Sequence, residues 1–244
     1  MSAAAGLATN GIAELVAGLD WRQLEADLDI YGCAVAKAVL SSGECRSLAD
    51  KYDDGELFRS RIVMARHGFG RGEYQYFRYP LPETVAELRA ALYPPLSRVA
   101  TRWNKVLGID LRYPDEHAAF LKQCHERGQT LPTPLLLRYG KGDYNCLHQD
   151  IYGECIFPLQ VAFLLSIPGQ DFEGGDFVLT EQRPRMQSRV EVIPLKQGDA
   201  VIFPVHHRPV HGSKGWYRVN MRHGVSRLRT GKRHTLGVIF HDAK

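Results

Sequence analysis

Short apolar runs separated by turn-forming residues dominate the sequence after residue 132. Seven such runs lie at 134–139, 159–166, 175–179, 191–194, 200–204, 217–223 and 234–240. Each has the length of a β-strand, and glycine, proline and other turn residues punctuate the segments between them. A series of short strands is typical of a double-stranded β-helix, or jelly roll. The pattern therefore predicts a jelly-roll core over residues 132–244.

The first half of the chain shows mainly the longer periodicity of helices. Helices are predicted at 11–28, 41–50, 82–107 and 114–128, with a strand at 31–40. The segment 82–107 contains Pro94-Pro95, which predicts one helix or two interrupted helices. The predicted fold class is α+β, with N-terminal helices packed on one sheet. One domain over 1–244 is expected, in which 1–131 supply mainly helical support and substrate-side elements.

Composition narrows the class of protein. The 244 residues are 44% hydrophobic and 24% charged, which is ordinary for a globular protein. Residues 1–10 resemble a frayed end without the features of a signal peptide, and no apolar run has membrane-spanning length, so a cytoplasmic location is expected. The five cysteines include no Cys-x-x-Cys pair and predict reduced thiols. The net charge of +4 permits a phosphate-bearing partner without requiring one.

A candidate metal site follows the run 134–139. His148 and Asp150 stand two residues apart in Leu-His-Gln-Asp, so both side chains share one face of an extended segment. A second histidine would complete the two-histidine, one-carboxylate set that holds Fe(II) on one face and leaves positions open. The candidates for this third ligand are His223, His211, His206 and His207.

The order of the motifs in the second half carries a family resemblance. After His-x-Asp come Phe172-Glu-Gly-Gly-Asp, a Gly-Asp followed by the apolar run 200–204, then His223 and, ten residues later, Arg233. This order resembles the Fe(II)/2-oxoglutarate dioxygenases, and the resemblance covers roughly 132–241. It implies that His223 is the third ligand, and that His206, His207 and His211 belong to loops or to the surroundings of the site.

The resemblance also implies cofactors and a reaction. Fe(II), 2-oxoglutarate and O₂ are expected, and a substrate C–H bond would be hydroxylated with release of succinate and CO₂. Arg233 would anchor the distal carboxylate of 2-oxoglutarate, since a guanidinium pairs with a carboxylate through two hydrogen bonds. Tyr139 and Thr235 would add hydrogen bonds to the cosubstrate.

The substrate is open at the level of sequence. The motifs Leu-His-Gln-Asp and His-Gly-x-x-x-Leu-x-x-Gly resemble AlkB-type nucleic-acid demethylases. Three further segments are Gly70-Arg-Gly-Glu-Tyr-Gln-Tyr-Phe77, Glu181-Gln-Arg-Pro-Arg-Met-Gln-Ser-Arg189 and Arg222-His-Gly-Val-Ser-Arg227. With them, nearly the whole chain resembles a bacterial oxygenase family described as acting on alkylated DNA. One position departs from the AlkB pattern, because Ile239 stands where a second arginine is expected six residues after Arg233.

A solvated charged loop with tyrosines in the core is one interpretation of the positions rich in arginine and tyrosine. The other is a basic and aromatic surface for a flipped base. Its candidate residues are Arg61, Arg71, Tyr74, Tyr76, Arg183, Arg185 and Arg189. The alternatives are a hydroxylase of protein side chains, resembling prolyl hydroxylases, a hydroxylase of a small molecule, and a cupin-like protein that binds metal without turnover. The oligomeric state is left open.

Overall fold

The computed structural model describes residues 11–151 and 153–244, so the expectation for residues 1–10 lies outside the described residues. The helices are α1 (Ile12–Ala17), α2 (Trp21–Tyr31), α3 (Ser42–Asp50), α4 (Glu83–Val106) and α5 (His117–Glu126). Single 3₁₀ turns lie at Lys51–Asp53, Gly55–Leu57 and Met64–Arg66. No helix in the described part of the chain is long and apolar enough to cross a membrane.

The strands form two large antiparallel sheets and one small one. The seven-stranded sheet has the order β1 (Ala34–Ala36), β11 (Ala200–Pro204), β7 (Leu159–Leu164), β15 (Arg233–Val238), β5 (Leu135–Tyr139), β4 (Glu73–Phe77) and β2 (Phe58–Val63). The six-stranded sheet has the order β10 (Arg189–Ile193), β9 (Phe177–Gln182), β13 (Gly215–Val225), β6 (Tyr144–His148) and β3 (Gly70–Arg71), with β12 (His207–Gly212) also paired to β13. A two-stranded sheet joins β8 (Phe172–Gly174) to β14 (Leu228–Gly231).

Two apolar clusters hold these layers together. The larger packs α4 on the seven-stranded sheet, with Leu88 and Leu92 against residues such as Leu136 and Leu236. The smaller contains Phe203 of the seven-stranded sheet and Phe177 and Leu179 of the six-stranded sheet, so it lies between the two sheets. Burial of apolar surface on both faces explains why β7 and β11 are apolar at nearly every position.

The mixed helix-and-sheet class and the helical cover of one sheet agree with prediction, whereas some element bounds differ. Of the two alternatives for the segment 82–107, the structure has the single helix, which continues through Pro94-Pro95 without the interruption. Its apolar face is buried on both sides of the prolines, and this packing outweighs the lost backbone hydrogen bonds. The segment 11–28 contains two helices that meet near Gly18, and the strand predicted at 31–40 is limited to Ala34–Ala36.

The N-terminal half also contributes more sheet than its mainly helical pattern indicated. Strands β2 and β4 extend the seven-stranded sheet, and β3 extends the six-stranded sheet. Strands β6 and β12 have no counterpart among the seven predicted runs, because both are rich in polar residues. Their pairing with β13 decides their conformation.

Candidate metal centre and cosubstrate cavity

Two paired strands bring the histidines of the candidate site together. His148 ends β6, and His223 lies directly opposite it on β13 in the antiparallel register. Asp150 follows two residues later, where the chain has left β6. The two histidines are 75 residues apart in sequence, and the pairing of β6 with β13 brings them together.

The three side chains converge on a common point. The distance from His148 Nε2 to Asp150 Oδ1 is 3.4 Å, and that from His223 Nε2 to Asp150 Oδ2 is 3.3 Å. One ligand atom from each residue lies within 4.8 Å of the others, the only such group of three among the described residues. Two imidazoles and one carboxylate are the donor set of non-haem Fe(II) oxygenases.

Each histidine is oriented by a different contact. His148 Nδ1 is 2.9 Å from the Cys146 carbonyl oxygen, so Nδ1 carries the hydrogen and donates it. This hydrogen bond leaves Nε2, with its lone pair, facing Asp150. The His223 ring is instead packed by aromatic side chains, Phe203 at 4.7 Å and Phe177 at 6.1 Å between ring centroids.

The electrostatics of the site suit a cation. Burial alone would raise the pKa of Asp150, yet hydrogen bonds and charge from His148 and His223 hold it well below its ordinary value. Burial lowers the pKa of His223, and the neighbouring His148 lowers it further. Hydrogen bonding and charge from Asp150 raise the pKa of His148 against the effect of burial. An ionised Asp150 beside a neutral His223 suits a metal ion, and an ion bound to His148 would take the place of its imidazole proton.

A glutamine that sequence reasoning missed completes the centre. Gln160 lies on β7 and is only 3% exposed. Its Nε2 donates to Asp150 Oδ2 at 2.9 Å and lies 3.3 Å from His223 Nε2. The sequence offers no local signal for it, since Gln160 stands within an apolar strand and ten residues from Asp150.

A buried arginine lies at the other end of the same cavity. Arg233 is 2% exposed, and its Nη1 donates to Thr235 Oγ1 at 2.6 Å. The guanidinium carbon lies 5.7 Å from the centre of the Tyr139 ring, the residue opposite Arg233 in the strand register. Within the described ranges no carboxylate pairs with this guanidinium, and Nε has no hydrogen-bond partner.

Burial lowers the pKa of Arg233 to about 10, so the side chain remains charged at neutral pH. A buried cation without an anion is unfavourable unless a ligand supplies the negative charge. Arg233, Thr235 and Tyr139, the three residues predicted to bind the cosubstrate, therefore form a site that fits the carboxylate of a small acid. The metal-binding set and this site open into one cavity of about 370 Å³.

The walls of the cavity are mostly apolar. They include Leu135, Leu137, Val161, Ala162, Val225 and Ile239, together with the aromatic side chains of Phe69, Tyr74 and Tyr76. Tyr74 and Tyr76 meet edge to face with 5.4 Å between their ring centroids. Two of the seven predicted substrate residues, Tyr74 and Tyr76, thus line the cavity.

Two arginines of that prediction, Arg61 and Arg71, lie outside the cavity lining. Arg61 is half exposed and forms an ion pair with Glu73, while Arg71 is exposed. Among the residues that the structure describes, the cavity lining includes neither of them. Arg59 instead stacks over the Tyr76 ring at 4.5 Å from its centroid, and the sequence did not single it out.

The remaining candidates also have local partners. Arg183 and Arg189 pair with Glu181, and Arg185 is exposed near the turn between β9 and β10. Of the alternative histidines, His206 and His207 contact one another and His211 contacts Trp216. His223 lies beside Asp150 in the structure, whereas none of these three histidines does.

Comparison with known proteins identifies the family. A model described as an oxygenase catalysing oxidative methylation of damaged DNA matches residues 72–243. The chain belongs to this family. Two curated sequences from Mycobacterium tuberculosis strains, both described as uncharacterised proteins, are 47% identical over 167 residues. That match spans 68% of this chain and 72% of each relative.

Solved structures show the same fold at low sequence identity. A Pseudomonas putida prolyl-4-hydroxylase has a TM-score of 0.53 and 15% identity, covering 92% of this chain and 99% of its own. A Trichoplax adhaerens prolyl hydroxylase, solved with a peptide fragment of the hypoxia inducible factor oxygen degradation domain, has a TM-score of 0.55 and 15% identity over 95% and 92% of the two chains. A 2OG-Fe(II) family oxidoreductase from Burkholderia pseudomallei has a TM-score of 0.53 and 15% identity over 91% and 92%.

These findings confirm that the oxygenase is an enzyme with the fold of the 2OG-Fe(II) oxygenases. Fe(II), 2-oxoglutarate and O₂, the predicted cofactor and cosubstrates, are those of that class, and the residues present fit them. The donor set suits Fe(II), and the unpaired Arg233 suits a dicarboxylate.

Proposed function

We propose that this oxygenase uses Fe(II) and 2-oxoglutarate to hydroxylate the alkyl group of a damaged base in DNA, within a double-stranded β-helix formed by its two large sheets. The observation that carries the cosubstrate is Arg233, a buried cation without an anionic partner in the cavity of the metal-binding set. The family description supports the choice of damaged DNA as substrate.

His148, Asp150 and His223 would hold the iron, which supplies the chemistry that couples oxidation of 2-oxoglutarate to hydroxylation of the substrate. Arg233 and Thr235 bind and orient the distal carboxylate of the cosubstrate through charge-assisted hydrogen bonds. The apolar wall formed by Leu135, Val161 and neighbouring residues excludes water from the cavity between the metal-binding residues and Arg233.

The substrate side of the cavity fits a flat ring. Tyr74 and Tyr76 offer aromatic surface at the cavity wall, and base-aromatic stacking contributes about 1–3 kcal/mol per base. Arg59, held over Tyr76, places a positive charge beside that surface. Ile239 lies on the cavity wall in place of a second arginine, so the base would meet an apolar group there.

Hydroxylation of a protein side chain is the second candidate. It is favoured by the fold shared with prolyl hydroxylases and by the apolar wall, which would also accept a proline ring. The two candidates differ in the need for phosphate contacts, because nucleic-acid binding weakens as the salt concentration rises.

Succinate formation distinguishes these candidates. The purified protein, loaded with Fe(II), is supplied with 2-oxoglutarate and either methylated single-stranded DNA, the same DNA without methyl groups, or proline-containing peptides. The proposal expects succinate and formaldehyde only with the methylated DNA, at a rate that falls with salt. Succinate formation coupled to hydroxylation of a peptide, with no response to methylated DNA, would instead establish the second candidate.

A further inference from the structure

Gln160 is the buried polar group that contacts two of the three candidate ligands. It lies on β7 opposite Phe203 of β11, the residue whose ring packs on His223. Its side chain lines the cavity and reaches Asp150 at 2.9 Å and His223 at 3.3 Å. A strand from the seven-stranded sheet thus contributes to a centre whose histidines both come from the six-stranded sheet.

The chemistry of its neighbours determines which end of the amide faces the centre. Gln160 Nε2 lies 2.9 Å from Asp150 Oδ2, and an oxygen of a metal-binding carboxylate accepts hydrogen bonds, so the NH₂ group of Gln160 faces it. An amide oxygen in that position would face the negative charge of the carboxylate. The amide nitrogen has two hydrogens, and the one directed to Asp150 Oδ2 leaves the other near His223 Nε2.

The two histidines of the centre differ in how their rings are held. The ring of His148 is held by the Cys146 carbonyl oxygen, whereas His223 Nδ1 is buried and has no hydrogen-bond partner among the described residues. Metal-binding histidines usually donate their second N–H to an oxygen atom, and bound carboxylates are themselves hydrogen-bonded. Here Gln160 supplies the polar contact between Asp150 and His223.

We propose that Gln160 is a positioning residue of the metal centre, which holds the Asp150 carboxylate in the orientation that binds the ion. The hydrogen bond to Oδ2 restrains rotation of the carboxylate and directs it towards the space that His148 and His223 share. When His223 Nε2 gives its lone pair to the ion, the second amide hydrogen of Gln160 is available to an oxygen atom of a ligand in the cavity. The inference rests on the metal-binding part of the proposed function.

A Co(II) titration of the metal-free protein tests the proposal without any turnover. Gln160→Met keeps the length of the side chain and removes the donor. Since loss of an outer hydrogen bond at a metal site typically weakens binding about 10–100-fold, the Kd for Co(II) should rise by that factor. The visible absorption of bound Co(II) should also change, because its ligand geometry is altered.

Gln75→Met is the matched control. Gln75 is a buried glutamine of β4 whose Nε2 donates to the Tyr52 carbonyl oxygen, and it does not belong to the described cavity lining. It should leave both the Kd and the spectrum of bound Co(II) at wild-type values, even where its stability falls. A change confined to Gln160→Met therefore separates positioning of the ligand from a general effect on packing.

Wild-type affinity and spectrum in a folded Gln160→Met variant would overturn the proposal. If that variant does not fold, Gln160→Glu is measured in its place, since it keeps the shape and polarity of the side chain but replaces the donor with an acceptor. An unchanged Co(II) spectrum in Gln160→Glu then overturns the proposal. Failure of the wild-type protein to bind Co(II) is a different result, which contradicts the metal-binding part of the proposed function itself.

Discussion

At the scale of single residues, Arg233 is recognised as part of a ligand site because no carboxylate among the described residues pairs with its buried guanidinium group. Most buried guanidinium groups pair with a carboxylate, as Arg208 does with Glu181 and Arg89 with Asp242 in this protein. Arg233 is equally buried, but its described neighbours are a hydroxyl group and aromatic rings. A ligand with a carboxylate group would supply the negative charge that this position lacks.

Arg233→Met should weaken 2-oxoglutarate binding by about 30-fold to several thousandfold, because losing one partner of a buried charge pair costs about 2–5 kcal/mol. The same substitution should not destabilise the ligand-free protein, since it removes a buried charge that has no partner there. Isothermal titration with 2-oxoglutarate measures the affinity. Thermal unfolding of the ligand-free protein measures the stability. Arg233→Lys should restore part of the affinity. Wild-type affinity in both variants would contradict the assignment.

The choice of the distal metal ligand is tested by two histidine variants. His223→Ala should abolish Fe(II) binding and turnover, because it removes a donor from the group that also contains His148 and Asp150. His211→Ala should leave Fe(II) binding unchanged, since the His211 ring packs on Trp216 away from that group. Metal content after gel filtration provides the measurement. Loss of iron in His211→Ala but not in His223→Ala would show that His211, and not His223, is the distal metal ligand.

At the scale of elements, the segment 64–72 links the two large sheets beside the cavity. It leaves β2 in the seven-stranded sheet, joins β6 through the short strand β3, and returns as β4. Gly70 has a φ of +122°, and an added Cβ would collide with the Tyr144 carbonyl oxygen of β6. The crossing is possible because glycine lets the two backbones approach one another.

Gly70→Ala should destabilise the protein by more than about 1 kcal/mol, because both its backbone conformation and its contact with β6 exclude a side chain. Gly68→Ala is the matched control, as Gly68 also has a positive φ but has open space where a Cβ would lie. Urea unfolding of the two variants should give a clearly smaller loss for Gly68→Ala. Equal losses would mean that the contact with β6 contributes nothing.

At the scale of the whole molecule, buried ion pairs and histidines connect the helices to the sheets. Arg89 of α4 pairs with Asp242 near the C-terminus, and Arg208 of β12 pairs with Glu181 of β9 and reaches carbonyl oxygens of α2. His117 of α5 donates from Nε2 to the Phe240 carbonyl oxygen. These contacts join segments that are distant in sequence, so their loss should affect the fold as a unit.

The protein should lose stability in two stages as the pH falls. Burial lowers the pKa of His117 to about 3 and that of His241 to about 4, so the unfolded chain takes up protons first below its ordinary histidine pKa of about 6.5. The pKa values of Glu181 and Asp242 are lowered chiefly by Arg208 and Arg89 against the opposing effect of burial, and their contribution is lost below about pH 4.

Urea unfolding across this pH range measures both stages. His117→Gln keeps a donor for the Phe240 carbonyl oxygen but does not titrate, so its free energy of unfolding should fall less steeply between about pH 6.5 and pH 4. An identical pH dependence in the wild type and this variant would show that His117 does not contribute to the first stage.

Residue types and their spacing along the chain indicate the chemistry of the site but only part of its surroundings. The site is visible in the sequence as His-x-Asp, a later histidine and an arginine ten residues beyond it. These residue types indicate which groups can bind a metal ion and which can bind a carboxylate. The strongly apolar runs of β5, β7, β11 and β15 were likewise predicted as strands, since burial on both faces leaves a signal in each run.

Other features of the site arise only from pairing between segments that are distant in sequence. Gln160 meets Asp150 only because β7 passes beside the centre, and the polar β6 and β12 become strands only by pairing with β13. Arg61 pairs with Glu73, whereas Arg59 reaches Tyr76, because the register of β2 and β4 sets which arginine faces the aromatic rings. Local sequence does not encode such contacts, since their energies arise between residues that only the folded chain brings together.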